Sequence, residues 1–247
     1  MDWIYVSPHL DDAVLSLGGL IWEQTNAGFD VSVWTVCAGD PPPGELSSFA
    51  ASLHERWGVG EDAIEKRRNE DIISCTRVGA NYYHFDVPDC IYRLSPKTGE
   101  YLYASEKALW TAIHPEESQL INKLGRRLQE KLPVNSNLVC PLGIGSHVDH
   151  KLTVAVIRSA LEKMGEGVKP QVYYYAEYPY VLDNAAKIDE KFFDSNLFPI
   201  SPQGIRAWQE AVISHGSQIS TFWSNVDEMK TAIQSFHDQF EGIWLGE

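Results

Sequence analysis

The chain has 247 residues, with 34 acidic against 20 basic side chains for a formal charge of −14, and 44% hydrophobic residues. This length and composition suit one large α/β domain spanning residues 1–247. The negative surface argues against nucleic acid and anionic membranes as partners.

Residues 3–7 form a short apolar run that reads as a buried strand. From Asp12 the apolar spacing turns helical through Val14, Leu15, Gly18, Ile21 and Trp22, up to the stop at Asn26-Ala27-Gly28. Residues 31–36 read as a second strand. A strand, a helix and a strand within the first 36 residues make a βαβ unit, which predicts a parallel sheet. A Pro/Gly/Ser loop at 40–48 begins where that second strand ends. Open parallel sheets bind ligands at this edge, so the loop is expected to border the pocket. Further along, the patterns predict a helix over 62–78, a strand over 81–85, a helix over 119–131 and a buried strand over 137–141. A helix over 149–164, a strand over 171–177 and helices over 204–214 and 226–240 complete the chain. No repeat, low-complexity tract or linker interrupts it.

No segment reaches the roughly 20 apolar residues that cross a bilayer. The start, Met1-Asp2-Trp3-Ile4, lacks the basic region of a signal peptide, so a cytoplasmic location without membrane insertion is expected. Cys37, Cys75, Cys90 and Cys140 form no CxxC pair and have apolar neighbours. They are expected to be reduced core residues rather than metal ligands.

Two segments carry chemistry: Ser7-Pro8-His9-Leu10-Asp11-Asp12 and Gly143-Ile144-Gly145-Ser146-His147-Val148-Asp149-His150. Each follows a predicted buried strand and precedes a predicted helix, so both belong to one edge of the sheet. Catalytic zinc takes about three protein ligands, commonly His and carboxylate, and keeps one position open. His9, Asp12 and His150 make such a set. His147 would then remain as a proton or hydrogen-bond donor, and Asp11 as a base. Either motif alone is ordinary helix-start chemistry, an N-cap or an acid favoured by the helix dipole, beside an incidental histidine. Their joint occurrence at two strand ends points to a metal site. A nucleotide-binding domain would need a Gly-rich loop after the first strand, and Pro8-His9-Leu10-Asp11 occupies that place. A structural zinc site would show four ligands and more cysteine.

These motifs resemble those of the LmbE-like, or PIG-L-type, family of zinc-dependent N-deacetylases. The family's His-Pro-Asp-Asp is His9-Leu10-Asp11-Asp12 here, with leucine for proline, and its His-x-Asp-His is His147-Val148-Asp149-His150. The likeness continues through Val33-Trp34-Thr35, Arg67-Arg68-Asn69-Glu70, Val87-Pro88-Asp89 and the last helix around 232–239. It implies a Rossmann-like three-layer fold with a mostly parallel sheet. By the same resemblance His9, Asp12 and His150 are the zinc ligands, Asp11 the general base and His147 the electrophilic or acid group. Asp149 supports the histidines, and Arg67 and Asp89 hold the substrate's sugar. The implied cofactor is one zinc ion, with iron or manganese as options for an N/O site. The implied partner is a small molecule, an N-acetylated amino sugar or its conjugate. An amidase acting on a thiol conjugate would share these residues.

Overall fold

The computed structural model describes residues 2–60, 62–188, 196–240 and 243–246. Strands β1 (Trp3–Ser7), β2 (Val31–Thr35), β3 (Asn81–His84), β4 (Asn137–Pro141) and β5 (Gln171–Tyr175) form a sheet in the order β3-β2-β1-β4-β5. Every pairing in it is parallel. Three central strands read as continuous apolar runs because both faces of the sheet are covered, as parallel sheets require.

Alternate residues feed two cores. Tyr5, Val33, Val139 and Tyr175 face α1 (Asp12–Asn26), α3 (Ala63–Arg77) and two later helices. Ile4, Val6, Trp34, Leu138 and Cys140 face α4 (Ser118–Lys131) and α5 (Val148–Glu162). All four cysteines are buried and free. Chain order then places α6 (Tyr180–Asn184), α7 (Pro202–Ile213), α8 (Gly216–Phe222) and α9 (Val226–Phe240). An antiparallel pair joins β6 (Asn196–Phe198), which precedes α7, to β7 (Ile243–Leu245), which follows α9. Gly246 continues past β7 and bridges to Tyr174 of β5.

Gly18 and Gly19, unusual in mid-helix, are explained by α7. The indole of Trp208 is fully buried and donates through Nε1 to the carbonyl of Val14 at 2.7 Å. A Cβ on Gly18 would lie 2.4 Å from Trp208 Cδ1, and one on Gly19 3.1 Å from Cε3. The two glycines are the groove into which α7 packs its tryptophan.

Differences from the expected elements are local. The strand predicted over 171–177 ends at Tyr175. Helix α2 (Ser48–Trp57), α8 and the β6–β7 pair were not foreseen. Helix α2 is a ten-residue segment whose order depends on its ends. The Ser47 hydroxyl accepts the Ala50 N–H, and Gly58 closes the helix at φ 63. Among the described residues no helix is long and apolar enough to cross a membrane.

Candidate active site

Strands β1 and β4 are neighbours in register, Trp3 beside Asn137 and Tyr5 beside Val139. The loops leaving their carboxyl ends therefore emerge side by side. This is the switch point of the sheet, where the β1-α1-β2 connection departs one way and the later strands the other. The two motifs meet there. They border a cavity of about 260 Å³ lined by His9, Asp11, Asp12, Arg67, Asp89 and His147.

The carboxylate of Asp12 is the hub. Its Oδ2 accepts the His9 backbone N–H at 2.8 Å and lies 3.0 Å from His9 Nδ1 and 3.3 Å from His150 Nε2. Donor atoms about 2.0–2.2 Å from a tetrahedral ion are separated by roughly 3.3 Å, so these spacings match a shared cation. His9, His147 and His150 also offer ring nitrogens within 4.8 Å of one another. Although His150 is fully buried, its Nε2 has no hydrogen-bond partner among the described residues. Such a nitrogen is costly unless something else occupies its lone pair.

The opposite faces of the two rings are tied down. His9 Nε2 lies 3.1 Å from Asp149 Oδ2, which also accepts the Cys90 N–H at 2.9 Å. Arg93 pairs with the other oxygen of Asp149 and continues to Glu117, which also binds the Tyr103 hydroxyl. His150 Nδ1 lies 3.0 Å from Glu177 Oε1. A carboxylate only accepts hydrogen bonds. With a cation at the hub, each imidazole would therefore keep its one proton on the far nitrogen and turn the other toward the ion.

Charge balance asks for a cation as well. Among the described residues, Asp11, Asp12, Asp89, Asp149 and Glu177 are buried beside the guanidinium groups of Arg67 and Arg93, the second of which also serves buried Glu117. Burial pulls the His9 imidazole down, but Asp12 and Asp149 overcome it and raise its pKa well above the ordinary value. Burial likewise opposes the charge on His150, and Asp12 with Glu177 still drives its pKa up to about 9. For Asp12, burial is outweighed by His150 and His9, which hold the carboxyl well below the usual range. Protons on these rings stand where a divalent ion would supply the same positive charge. The residues present fit such an ion.

Asp11 and His147 are disposed for other tasks. Asp11 occupies the N-cap position of α1 yet makes no side-chain capping bond, so its carboxyl is free to face the cavity. Ser7 Oγ caps instead, accepting the Ala13 N–H at 3.0 Å. Burial raises the pKa of Asp11, against the opposing charge of Arg67, whose Nη2 lies 3.6 Å from Oδ2. His147 caps α5, and its Nδ1 accepts the Asp149 N–H at 3.2 Å. The neutral ring thus bears its proton on Nε2. Burial, with the nearby His9, lowers its pKa to about 4. The turn that delivers His147 places Ser146 in the left-handed region at φ 62. It also lets Gly145 approach Tyr180 so closely that a Cβ would lie 2.4 Å from its ring.

Arg67 and Asp89 both line the cavity. The Arg67 guanidinium lies 5.1 Å from the Trp57 ring centroid, and Asp89 Oδ1 accepts the Ile91 N–H at 3.2 Å. The cavity wall expected from the 40–48 loop comes instead from α2, through Leu53, Arg56 and Trp57. The helix carries its side chains over the mouth, while the preceding loop runs outside. Trp110, Tyr180 and Phe222 complete an aromatic rim. Cys90 lies within reach of His147 and Asp149, but burial keeps its thiol protonated by pushing its pKa well up. It behaves as a core residue.

Sequence reading missed Glu177, Arg93 and His215. An acid two residues past the QVYYY strand, at the sheet edge already carrying the motifs, is a usable signal for Glu177. Arg93 had none. His215 is buried with both ring nitrogens unpaired among the described residues. His54 lies behind the Trp57 wall, its Nε2 2.5 Å from the Tyr92 hydroxyl. His84 pairs with Asp71 at 2.7 Å.

The fold and the site together define a protein of the α/β class with a candidate divalent-metal site at a sheet switch point. Residues 4–161 match the family described as GlcNAc-PI de-N-acetylase, PIG-L. The chain belongs to this family. It is 30% identical to 2'-N-acetylparomamine deacetylase of Niallia circulans, over 72% of this chain and 67% of that protein. The zinc-inhibited form of teicoplanin deacetylase superposes with a TM-score of 0.81 at 23% identity, covering 100% of this chain and 96% of the other. A deacetylase of the teicoplanin biosynthesis pathway, in complex with bog, gives a TM-score of 0.77 at 25% identity, over 99% of this chain and 97% of the other.

Proposed function

We propose that this protein is a zinc-dependent N-deacetylase that removes acetyl from the amino group of a sugar or glycoside, and that its residues form one catalytic domain. The observation that carries the reading is the convergence of His9 Nδ1, His150 Nε2 and Asp12 Oδ2 at the floor of a cavity that also holds Asp11 and His147. The likeness to deacetylases of 2'-N-acetylparomamine and of teicoplanin supports a sugar-borne amide. The cytoplasmic location expected from the sequence belongs to this proposal.

His9, Asp12 and His150 would hold the ion, with Asp149 and Glu177 behind the histidines. When bound, zinc supplies Lewis-acid chemistry, making water a nucleophile near neutral pH and polarising the amide carbonyl. Asp11, free of capping duty, accepts the proton of the attacking water. The Nε2–H of His147 points a neutral donor at the oxyanion that develops as the carbonyl becomes tetrahedral. Asp11 then returns its proton to the leaving nitrogen, a transfer helped by the raised pKa that burial confers. The products are a free amine and acetate. Arg67 and Asp89 provide a donor and an acceptor for sugar hydroxyls beside the scissile bond.

Elemental analysis paired with an amine-release screen tests the reading. The substrates are N-acetylated aminoglycosides, N-acetylglucosaminides and acylated thiol conjugates. One zinc per chain and chelator-sensitive release of amine and acetate from a sugar are expected. Zinc-loaded protein that cleaves none of these amides, or cleavage that survives removal of metal, would refute it.

A further inference from the structure

Glu177 lies two residues past β5 and reaches the site from a strand that carries neither motif. It is fully buried, as is His150. Its Oε1 accepts the Gly143 N–H at 2.7 Å and lies 3.0 Å from His150 Nδ1, while its Oε2 lies 3.4 Å from the Ile144 N–H. All three neighbours approach as donors, and the group they meet can only accept. His150 Nε2 lies 3.3 Å from Asp12 without a hydrogen bond of its own, and in a ring whose one proton sits on Nδ1 it is the nitrogen free to meet an ion.

We infer that Glu177 is a positioning residue of the metal centre: it selects the His150 tautomer whose Nε2 lone pair faces the ion. This rests on the zinc reading proposed above. The same carboxylate clamps the Gly143–Ile144 backbone, two residues before the turn that delivers His147. One buried charge thus orients a ligand and braces the loop of the donor beside it. Glutamine at this position is nearly isosteric but carries an amide –NH2 at one end. If that end faces His150, the ring must turn its Nδ1 into an acceptor and protonate Nε2. If it faces Ile144, two donors oppose each other and the negative charge behind the imidazole is lost. Both outcomes weaken the metal bond.

The test is a zinc competition titration of wild-type protein and Glu177→Gln, each also carrying His150→Ala. Zinc affinity is expected to fall about 10- to 100-fold on Glu177→Gln alone. The same change should alter affinity less than about twofold once His150 is gone, because Glu177 acts through that ring. A Glu177→Gln affinity equal to wild type, or an equal loss with and without His150, would overturn the inference. The second result would mark Glu177 as a loop clamp only. Should the variants fail to fold, long-range proton–nitrogen spectra of zinc-loaded wild type decide instead: a His150 proton on Nδ1 supports the inference, and one on Nε2 sinks it. Wild-type protein with no zinc affinity would be a different failure, that of the metal reading itself.

Discussion

Removing metal should make the stability of this protein fall with rising pH, over a window set by His150. In the metal-free state the positive charge demanded by Asp12 and Glu177 is met by a proton on the ring, whose pKa is driven from 6.5 up to about 9. A histidine whose folded pKa exceeds its unfolded value stabilises fully below about pH 6.5 and loses that contribution as pH climbs through the folded value. At about 1.4 kcal/mol per pH unit, a rise from 6.5 to about 9 corresponds to about 3 kcal/mol. His9, raised for the same reason, acts in the same direction. For a chain of this size, about 3 kcal/mol lowers the melting temperature by roughly 6–12 °C. Thermal melts followed by circular dichroism on chelator-treated protein, between pH 6.5 and 9.5 at fixed ionic strength, measure it. Zinc-loaded protein is the internal control, since its lone pairs are engaged and it has no such proton to lose. A flat melting temperature in the chelated protein, or an equal slope with zinc bound, would show that the cluster's charge is not balanced as the geometry requires.

If Asp11 takes the water proton without ligating, as proposed, Asp11→Asn should lower turnover about 10²- to 10⁴-fold while elemental analysis still finds full metal content. Retained turnover would move the base elsewhere. Gly18→Ala should destabilise despite alanine's helix preference of about 1 kcal/mol. Its Cβ meets the Trp208 ring at 2.4 Å, and overpacking of that kind costs about 1–3 kcal/mol, read as a lowered urea midpoint.

Local pattern and chemical type were legible in the residues themselves. The apolar runs at 3–7, 31–36 and 137–141 read as buried strands, the second observed to end at Thr35, and the helical spacing from Asp12 made the connection between the first two a parallel crossover. The two His/Asp segments marked where the candidate site forms, because ligand sets are built from few residue types at strand ends. Tertiary structure decided whatever depends on which elements become neighbours. Pairing β1 with β4 turned a separation of 140 positions between His9 and Asp149 into 3.1 Å. Folding brought Glu177 behind His150, Arg93 behind Asp149, and the α2 helix over the cavity mouth in place of the loop before it. It also explained Gly18 and Gly19 through Trp208, nearly two hundred residues away. Sequence periodicity records the face a segment buries. The partner that covers that face, and the nitrogen a buried imidazole leaves bare, are set by hydrogen bonds and packing between segments that share no local code.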